Sequence, residues 1–257
     1  MSVNRRLRSS FLVLTAALVV AIPATASAQT KSSALDSAAG LELHNVSAEP
    51  VSYKGRKALK VTISPQAARR LAAASARRKT GPRPKKKGGP GEGPRLSYLA
   101  VLKNLTFQNG TIEVDVAGSP SPGAQGGARG FVGVAWRVQP DKHTYDAFYL
   151  RPANGRAEDQ ERRNHSAQYI SHPTYTWFKF RQETPSKYEA YVDLVLGEWT
   201  KIKIEVRGEK ARLYVHGAEQ PTLIINDVKS GADAKGAIAL WIEGSTVAHF
   251  SNLRVSP

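Results

Sequence analysis

Downstream of residue 97, apolar side chains recur at every second position. "GTIEVDVAG" places Ile112, Val114 and Val116 on one face, with Glu113 and Asp115 on the other. "TKIKIEVRGEKARLYVHG" turns Ile202, Ile204 and Val206 inward, reverses at Gly208, and returns with Leu213 and Val215 inward. Both arms keep a period of two, which predicts a hairpin. Upstream, "ALKVTI" alternates Leu59, Val61 and Ile63 against polar neighbours. "AIALWIE" is apolar on both faces, as expected of a central strand covered from both sides. With "FVGVAWRV", "AFYLR", "YTWFKFR", "YEAYVDL", "TLIIN" and "VAHFSNLRV" the count reaches about a dozen strands, and no long amphipathic helix competes. The pattern predicts an all-β protein, a two-sheet antiparallel sandwich.

The first residues do not follow this pattern. Arg5, Arg6 and Arg8 precede the apolar run "FLVLTAALVVAIPA", and Ala26-Ser27-Ala28 supplies small residues for cleavage before Gln29. Residues 1–28 therefore read as a secretory signal peptide. The run is short for a membrane span, and no later stretch reaches that length, so no transmembrane segment is expected after cleavage. A chain without cysteine must hold its fold in an oxidising compartment without disulfides. A secreted or periplasmic bacterial protein is expected.

Net charge changes the picture only locally. Of the +16 carried by the chain, residues 68–95 hold ten Lys or Arg against one Glu. The globular part is close to ordinary and carries no distributed nucleic-acid signature. Residues 67–96, rich in Pro, Gly and Lys, read as a disordered basic insertion. It separates N-terminal strands of the sandwich in 29–66 from the main body, 97–257. Residues 68–95 are a candidate contact for an anionic polymer.

"FQNGTIEVDVAG", "GEWTKIKIEVRGEKARLYVHG" and "GAIALWIEGSTVAHFSNLRV" occur in that order and resemble the concanavalin A-like lectin/glucanase superfamily. They look closest to its secreted bacterial laminin-G-like and DUF1080 (3-keto-disaccharide hydrolase) domains. The resemblance covers roughly residues 98–257, with a strand or two from 41–63. It implies a jelly-roll sandwich whose concave sheet meets saccharide. Because one fold hosts both lectins and hydrolases, activity has to come from the site. The superfamily's retaining glucanases carry Glu-x-Asp-x-Glu or a version one residue longer. Here Glu113 and Asp115 match the first two places, but Ala117 and Gly118 stand at the third. That departure argues against a glucanase carboxylate pair.

The chemistry-bearing stretch is "YLRPANGRAEDQERRNHSAQYISHPTYTWFKFR", residues 149–181. Pro152, Asn154 and Gly155 predict an excursion from the sheet over 152–167. Sugar recognition needs flat aromatic faces for C–H surfaces and forked polar groups for paired hydroxyls. Tyr149, Tyr169, Trp177 and Tyr188 are candidates for the first role. Arg151, Asn154, Gln168 and Arg181 are candidates for the second, together with Glu189. The structural alternative is that Arg151, Arg181 and Glu189 form ion pairs that lock the loop, with Trp177 in the core.

For catalysis, the 3-keto-disaccharide hydrolase resemblance implies a route without a carboxylate pair. A 3-keto group acidifies the adjacent C–H, so one base can remove that proton and expel the glycosidic oxygen. His165, His172 and Glu189 are the candidate bases, with Arg151 or a bound cation stabilising the enolate. The superfamily also admits calcium or another divalent cation, although no ligand loop is legible here. His165 and His172 stand seven apart, a spacing foreign to common zinc motifs. Three readings stay open: saccharide binding or processing, a 3-keto-glycoside hydrolase or lyase in the same cleft, and a non-catalytic envelope protein that binds acidic polymer.

Overall fold

In the computed structural model, which describes residues 30–80, 96–124 and 126–257, the alternating segments pair into two antiparallel sheets. Strands are numbered in chain order. The first sheet runs β13 (Leu223–Ile225), β12 (Lys210–Val215), β11 (Thr200–Arg207), β6 (Gly110–Pro120), β15 (Thr246–Ser256), β4 (Arg56–Ile63) and β3 (Val46–Tyr53). A short β1 (Lys31–Ser33) also pairs with β15. The second runs β10 (Glu189–Ala190), β9 (Ala167–His172), β8 (Tyr145–Leu150), β7 (Val132–Val138), β14 (Ala237–Ile242), β5 (Tyr98–Leu102) and β2 (Leu41–His44). This is a jelly-roll-like β-sandwich.

The period of two decides what each sheet buries. Ile112, Val114, Val116, Ile202, Ile204 and Val206 of the first sheet meet Val132, Val134, Trp136, Phe148, Leu150 and Leu240 of the second. Each such fully buried side chain contributes about 1.5–3 kcal/mol over its exposed form. The predicted hairpin is present, with Ile204 opposite Leu213 and Arg207 opposite Lys210. Gly208 turns it at φ +57°, a conformation that costs glycine nothing. β14 has both faces covered: Ile238, Leu240 and Ile242 enter the inter-sheet core, while Ala239 and Trp241 join a second apolar cluster outside it.

Three expectations are corrected. Residues 65–80 form a helix, α1 (Pro65–Thr80), so the basic insertion begins ordered. Its alanines favour helix, proline suits a first helical position, and Ser64 Oγ accepts from the Ala67 N–H at 3.2 Å. Ala67 is drawn into the core. "YTWFKFR" is not a strand but contains α4 (Trp177–Glu183), whose cap Thr176 accepts from the Lys179 N–H. In "YEAYVDL" only Glu189 and Ala190 pair as a strand. The excursion over 152–167 holds two short helices, α2 (Pro152–Gly155) and α3 (Gln160–Asn164). The signal-peptide reading of 1–28 and the remainder of the basic stretch, 81–95, lie outside the described residues. Among the described residues, no helix is long and apolar enough to cross a membrane.

Candidate functional site

On the outward face of the second sheet, strand pairing aligns one residue from each of seven strands. The row reads His44, Leu99, Trp241, Gly133, Tyr149, Gln168, Glu189. Gly133 is decisive in it. An added Cβ would collide with the Phe148 carbonyl oxygen and lie 2.7 Å from Tyr149 Cβ. With no side chain there, Tyr149 and Trp241 lean over β7 and stack, centroids 4.7 Å apart and planes 20° from parallel. Their backbones are two strand spacings apart, about 9.6 Å, so the stack exists only because residue 133 is glycine.

The polar end of the row is an ion cluster. Arg181 grips Glu189 with Nε at 3.1 and 3.0 Å and Nη2 at 2.9 Å. Arg151 Nη1 lies 4.0 Å from the same carboxylate. Arg151 also donates to the Tyr149 hydroxyl (2.8 Å), Gln168 Oε1 (3.0 Å) and the His165 carbonyl (2.7 Å). Asn154 Nδ2 donates to that carbonyl at 3.2 Å, so two side chains pin the return of the 152–167 excursion. Glu189 is 8% and Arg151 5% exposed; Arg151 and Arg181 against Glu189 leave one positive charge in excess, with the next carboxylate, Glu161, out in solvent 3.9 Å from His165 Nε2.

His165, the C-cap of α3, completes the cluster. Its Nδ1 stands 2.8 Å from Glu189 Oε2, out of line for a hydrogen bond, so the contact is electrostatic. Burial pulls the imidazole below its ordinary value of 6.5; Glu189 opposes the shift, and Arg181 and Arg151 reinforce it. The ring is neutral at neutral pH. Nε2 is the ring nitrogen turned away from Glu189, toward the exposed Glu161 at 3.9 Å. Trp177 and Arg181, one helical turn apart on α4, form the rim, with the guanidinium 4.9 Å from the indole centroid. Trp177 packs on the outer apolar cluster with Phe131.

The sequence-predicted residues thus divide. Tyr149, Arg151, Asn154, His165, Gln168, Trp177, Arg181 and Glu189 converge, but Tyr149, Asn154 and Gln168 are buried and brace the cluster from beneath instead of facing a sugar. Tyr169 and Tyr188 do not. Tyr169 follows Gln168 on the same strand and must face the other way; it is fully buried between the sheets, and its hydroxyl donates to Asp146 at 2.6 Å. Tyr188 stacks on Phe180 at 3.8 Å and donates to Asp227. His172 shares the outward face but sits four residues along β9, about 13 Å from Gln168. It stacks on Tyr145, with its Nδ1 3.2 Å from the phenol oxygen. Glu189 is held too firmly by Arg181 to serve as a base. Arg151 is buried and spends Nη1 and Nη2 inside the cluster, whereas Arg181 is partly exposed and uses only Nε and Nη2 on Glu189. Of the named groups, His165 and Arg181 keep a partly exposed side chain at the edge of the cluster.

Sequence reasoning missed Trp241, Gly133, Phe131 and Tyr145. The signal was present for Trp241: it is out of phase with Ile238, Leu240 and Ile242, so it had to face outward.

The family model for the 3-keto-alpha-glucoside-1,2-lyase-like domain matches residues 91–256, well over half of the chain. The chain belongs to this family. No curated protein is a significant match. Among solved structures, this family member is similar to the carbohydrate-binding module CBM66 from Bacillus subtilis, at 10% identity and a TM-score of 0.46, covering 84% of this chain and 98% of the module. It is also similar to a Bacillus subtilis protein with a galectin-like fold, at 12% identity and a TM-score of 0.49, covering 88% and 94%. The Bacillus licheniformis β-glucanase shares 12% identity and a TM-score of 0.44, covering 91% and 99%.

A divalent cation does not fit the cluster. Among the described residues, no three His, Asp or Glu side chains converge to hold a metal ion; the buried carboxylate, Glu189, is already engaged by Arg181, and Glu161 reaches His165 only from the solvent side, at 3.9 Å.

Proposed function

We propose that this family member binds a 3-keto glycoside on the outward face of the second sheet and eliminates its aglycone. The observation that carries the reading is the excess positive charge of Arg151, Glu189 and Arg181 beside a neutral His165. A ketone at C3 makes the C2 proton acidic. His165 Nε2 takes that proton, the electron pair forms the C1–C2 double bond, and the C1–O bond to the aglycone breaks. The imidazolium then returns the proton to the departing oxygen, so atoms and charge balance. Negative charge developing on the C3 oxygen is met by Arg181, whose Nη1 is not used on Glu189. Partly exposed Trp177, backed by the buried Tyr149–Trp241 stack, supplies the aromatic surface for the sugar ring. We further propose export from the cytoplasm, on the strength of the first 28 residues.

The test is release of nitrophenol from a nitrophenyl 3-keto-glucoside, with the 1,2-unsaturated ketone identified by mass. His165→Gln should lower kcat/KM at least about a hundredfold, the ordinary contribution of a general base. Arg181→Gln should lower kcat more than it raises KM. Release by the wild type that survives His165→Gln refutes the assignment. Binding of the intact glycoside without release would leave the saccharide-binding reading in its place.

A further inference from the structure

The outward face of the first sheet has its own recess, about 550 Å3 in volume, across the core from Glu189 and Arg151. Its floor is β6. The alternation that buries Ile112 and Val114 turns Glu113 and Asp115 into the recess. In register, Glu113 lies between Lys203 and Arg254, and Asp115 between Lys201 and Ser251. β15 bulges between Ser251 and Arg254, with Asn252 at φ +54°. The bulge re-aims Asn252, whose Nδ2 donates to Asp115 Oδ2 at 2.8 Å, a use to which bulges beside sites are commonly put. Arg56 donates to the same oxygen at 3.0 Å, leaving Oδ1 available to a ligand.

One wall is aromatic. Half-buried Trp199 donates its Nε1–H to the Tyr53 carbonyl at 3.3 Å, takes the Tyr53 ring edge-on at 5.6 Å and carries the Arg56 guanidinium 5.5 Å from its centroid. The indole is therefore fixed before anything binds. Two cations around it are weakly engaged. The Arg254 side chain makes no hydrogen bond or ion pair among the described residues, and Lys201 Nζ stays 3.7 Å from Glu113, beyond hydrogen-bond reach. Three cations face two carboxylates, an excess of one positive charge in a volume typical of small-ligand pockets, about 300–1,000 Å3.

We propose that this recess binds an acidic saccharide. Its uronate carboxylate is held by Arg254 and Lys201, its ring lies on Trp199, and Glu113 and Asp115 Oδ1 accept from its hydroxyls. A planar guanidinium suits a carboxylate, and a flat indole suits the C–H face of a pyranose. A neutral sugar leaves both cations unpaired, and a simple inorganic anion makes no use of the indole. This site is separate from the proposed catalytic face and does not depend on that reading.

The test is calorimetric titration of the full chain with galacturonate and glucuronate trisaccharides, their methyl esters, and sodium sulfate. At least one free acid should bind, with its methyl ester about tenfold weaker or more, as loss of a charged hydrogen bond dictates. Arg254→Gln and Lys201→Gln, both at the surface, should each weaken binding by a similar factor without moving Tm. Trp199→Phe, which keeps an aromatic ring, should weaken it while the protein stays folded. The proposal is overturned if no trisaccharide binds up to about 10 mM. It is equally overturned if methyl esters bind as well as acids, if sulfate competes as an equal, or if binding survives Arg254→Gln.

Discussion

Replacing Glu189 by Gln asks whether the ion cluster is held together by charge. The substitution keeps the side chain's shape and removes its charge, so packing is a minor part of the result. Two guanidiniums then lose their counter-charge, and they are not equal. Arg181 is 29% exposed at its side chain and can turn to water, so its loss counts for little. Arg151 is 5% exposed and cannot. At 4.0 Å and an effective dielectric near 20, a unit pair is worth about 4 kcal/mol before desolvation. Breaking a buried pair by removing one partner costs about 3–5 kcal/mol. For a domain of this size, each kcal/mol moves Tm by about 2–4 °C, so Glu189→Gln should melt about 6–20 °C lower. Differential scanning calorimetry at pH 7 measures this. Adding Arg151→Met to Glu189→Gln should recover about 1–3 kcal/mol relative to the sum of the single changes. A fall in Tm of less than about 2 °C, or simple additivity, would refute the idea that Arg151 depends on this carboxylate.

Gly133→Ala should cost about 1–3 kcal/mol by overpacking and separate the Tyr149–Trp241 stack, read as a lower Tm together with changed tryptophan fluorescence. Burial, with help from Lys60, lowers His249 from 6.5 to about 4. The fold therefore binds fewer protons than the unfolded chain between those values, and stability complete above pH 6.5 is lost progressively down to about pH 4. That loss amounts to about 3 kcal/mol, and urea melts from pH 4 to 7 should show it in the wild type but not in His249→Gln. The elimination rate should fall as pH drops through a His165 value below 6.5, because the base must be neutral. In Arg181→Gln that limb should move to higher pH, since a cation that lowers the imidazole is gone. Tyr169→Phe strips Asp146 of a buried hydrogen bond and should lower stability by about 1–3 kcal/mol while leaving saccharide affinity unchanged; a loss of affinity would return Tyr169 to the site.

The sandwich was legible because its cause is local. Ile112, Val114 and Val116 repeat every second residue, and only a pleated strand with one buried face uses that repeat. The region of the site was legible too, since polar and aromatic residues crowd 149–189 where a plain connection needs none. Helix α4 was hidden because its aromatic residues score as strand formers, and the cap at Thr176 gains meaning only once Phe180 has a core to enter. Which of those aromatics lie on the outward face was not legible from composition. Gln168 and Tyr169 are neighbours in the chain and lie on opposite sides of a sheet, so one joins the ion cluster and the other the inter-sheet core. Trp241 lies far along the chain from Tyr149, and the two meet only because β14, β7 and β8 pair in a register that puts a glycine between them. Periodicity is a property of each strand alone, so the sequence by itself determined strands and faces. Register and strand order arise from pairing between distant segments, so only the tertiary structure decided that His165, Arg181 and Glu189 share one place.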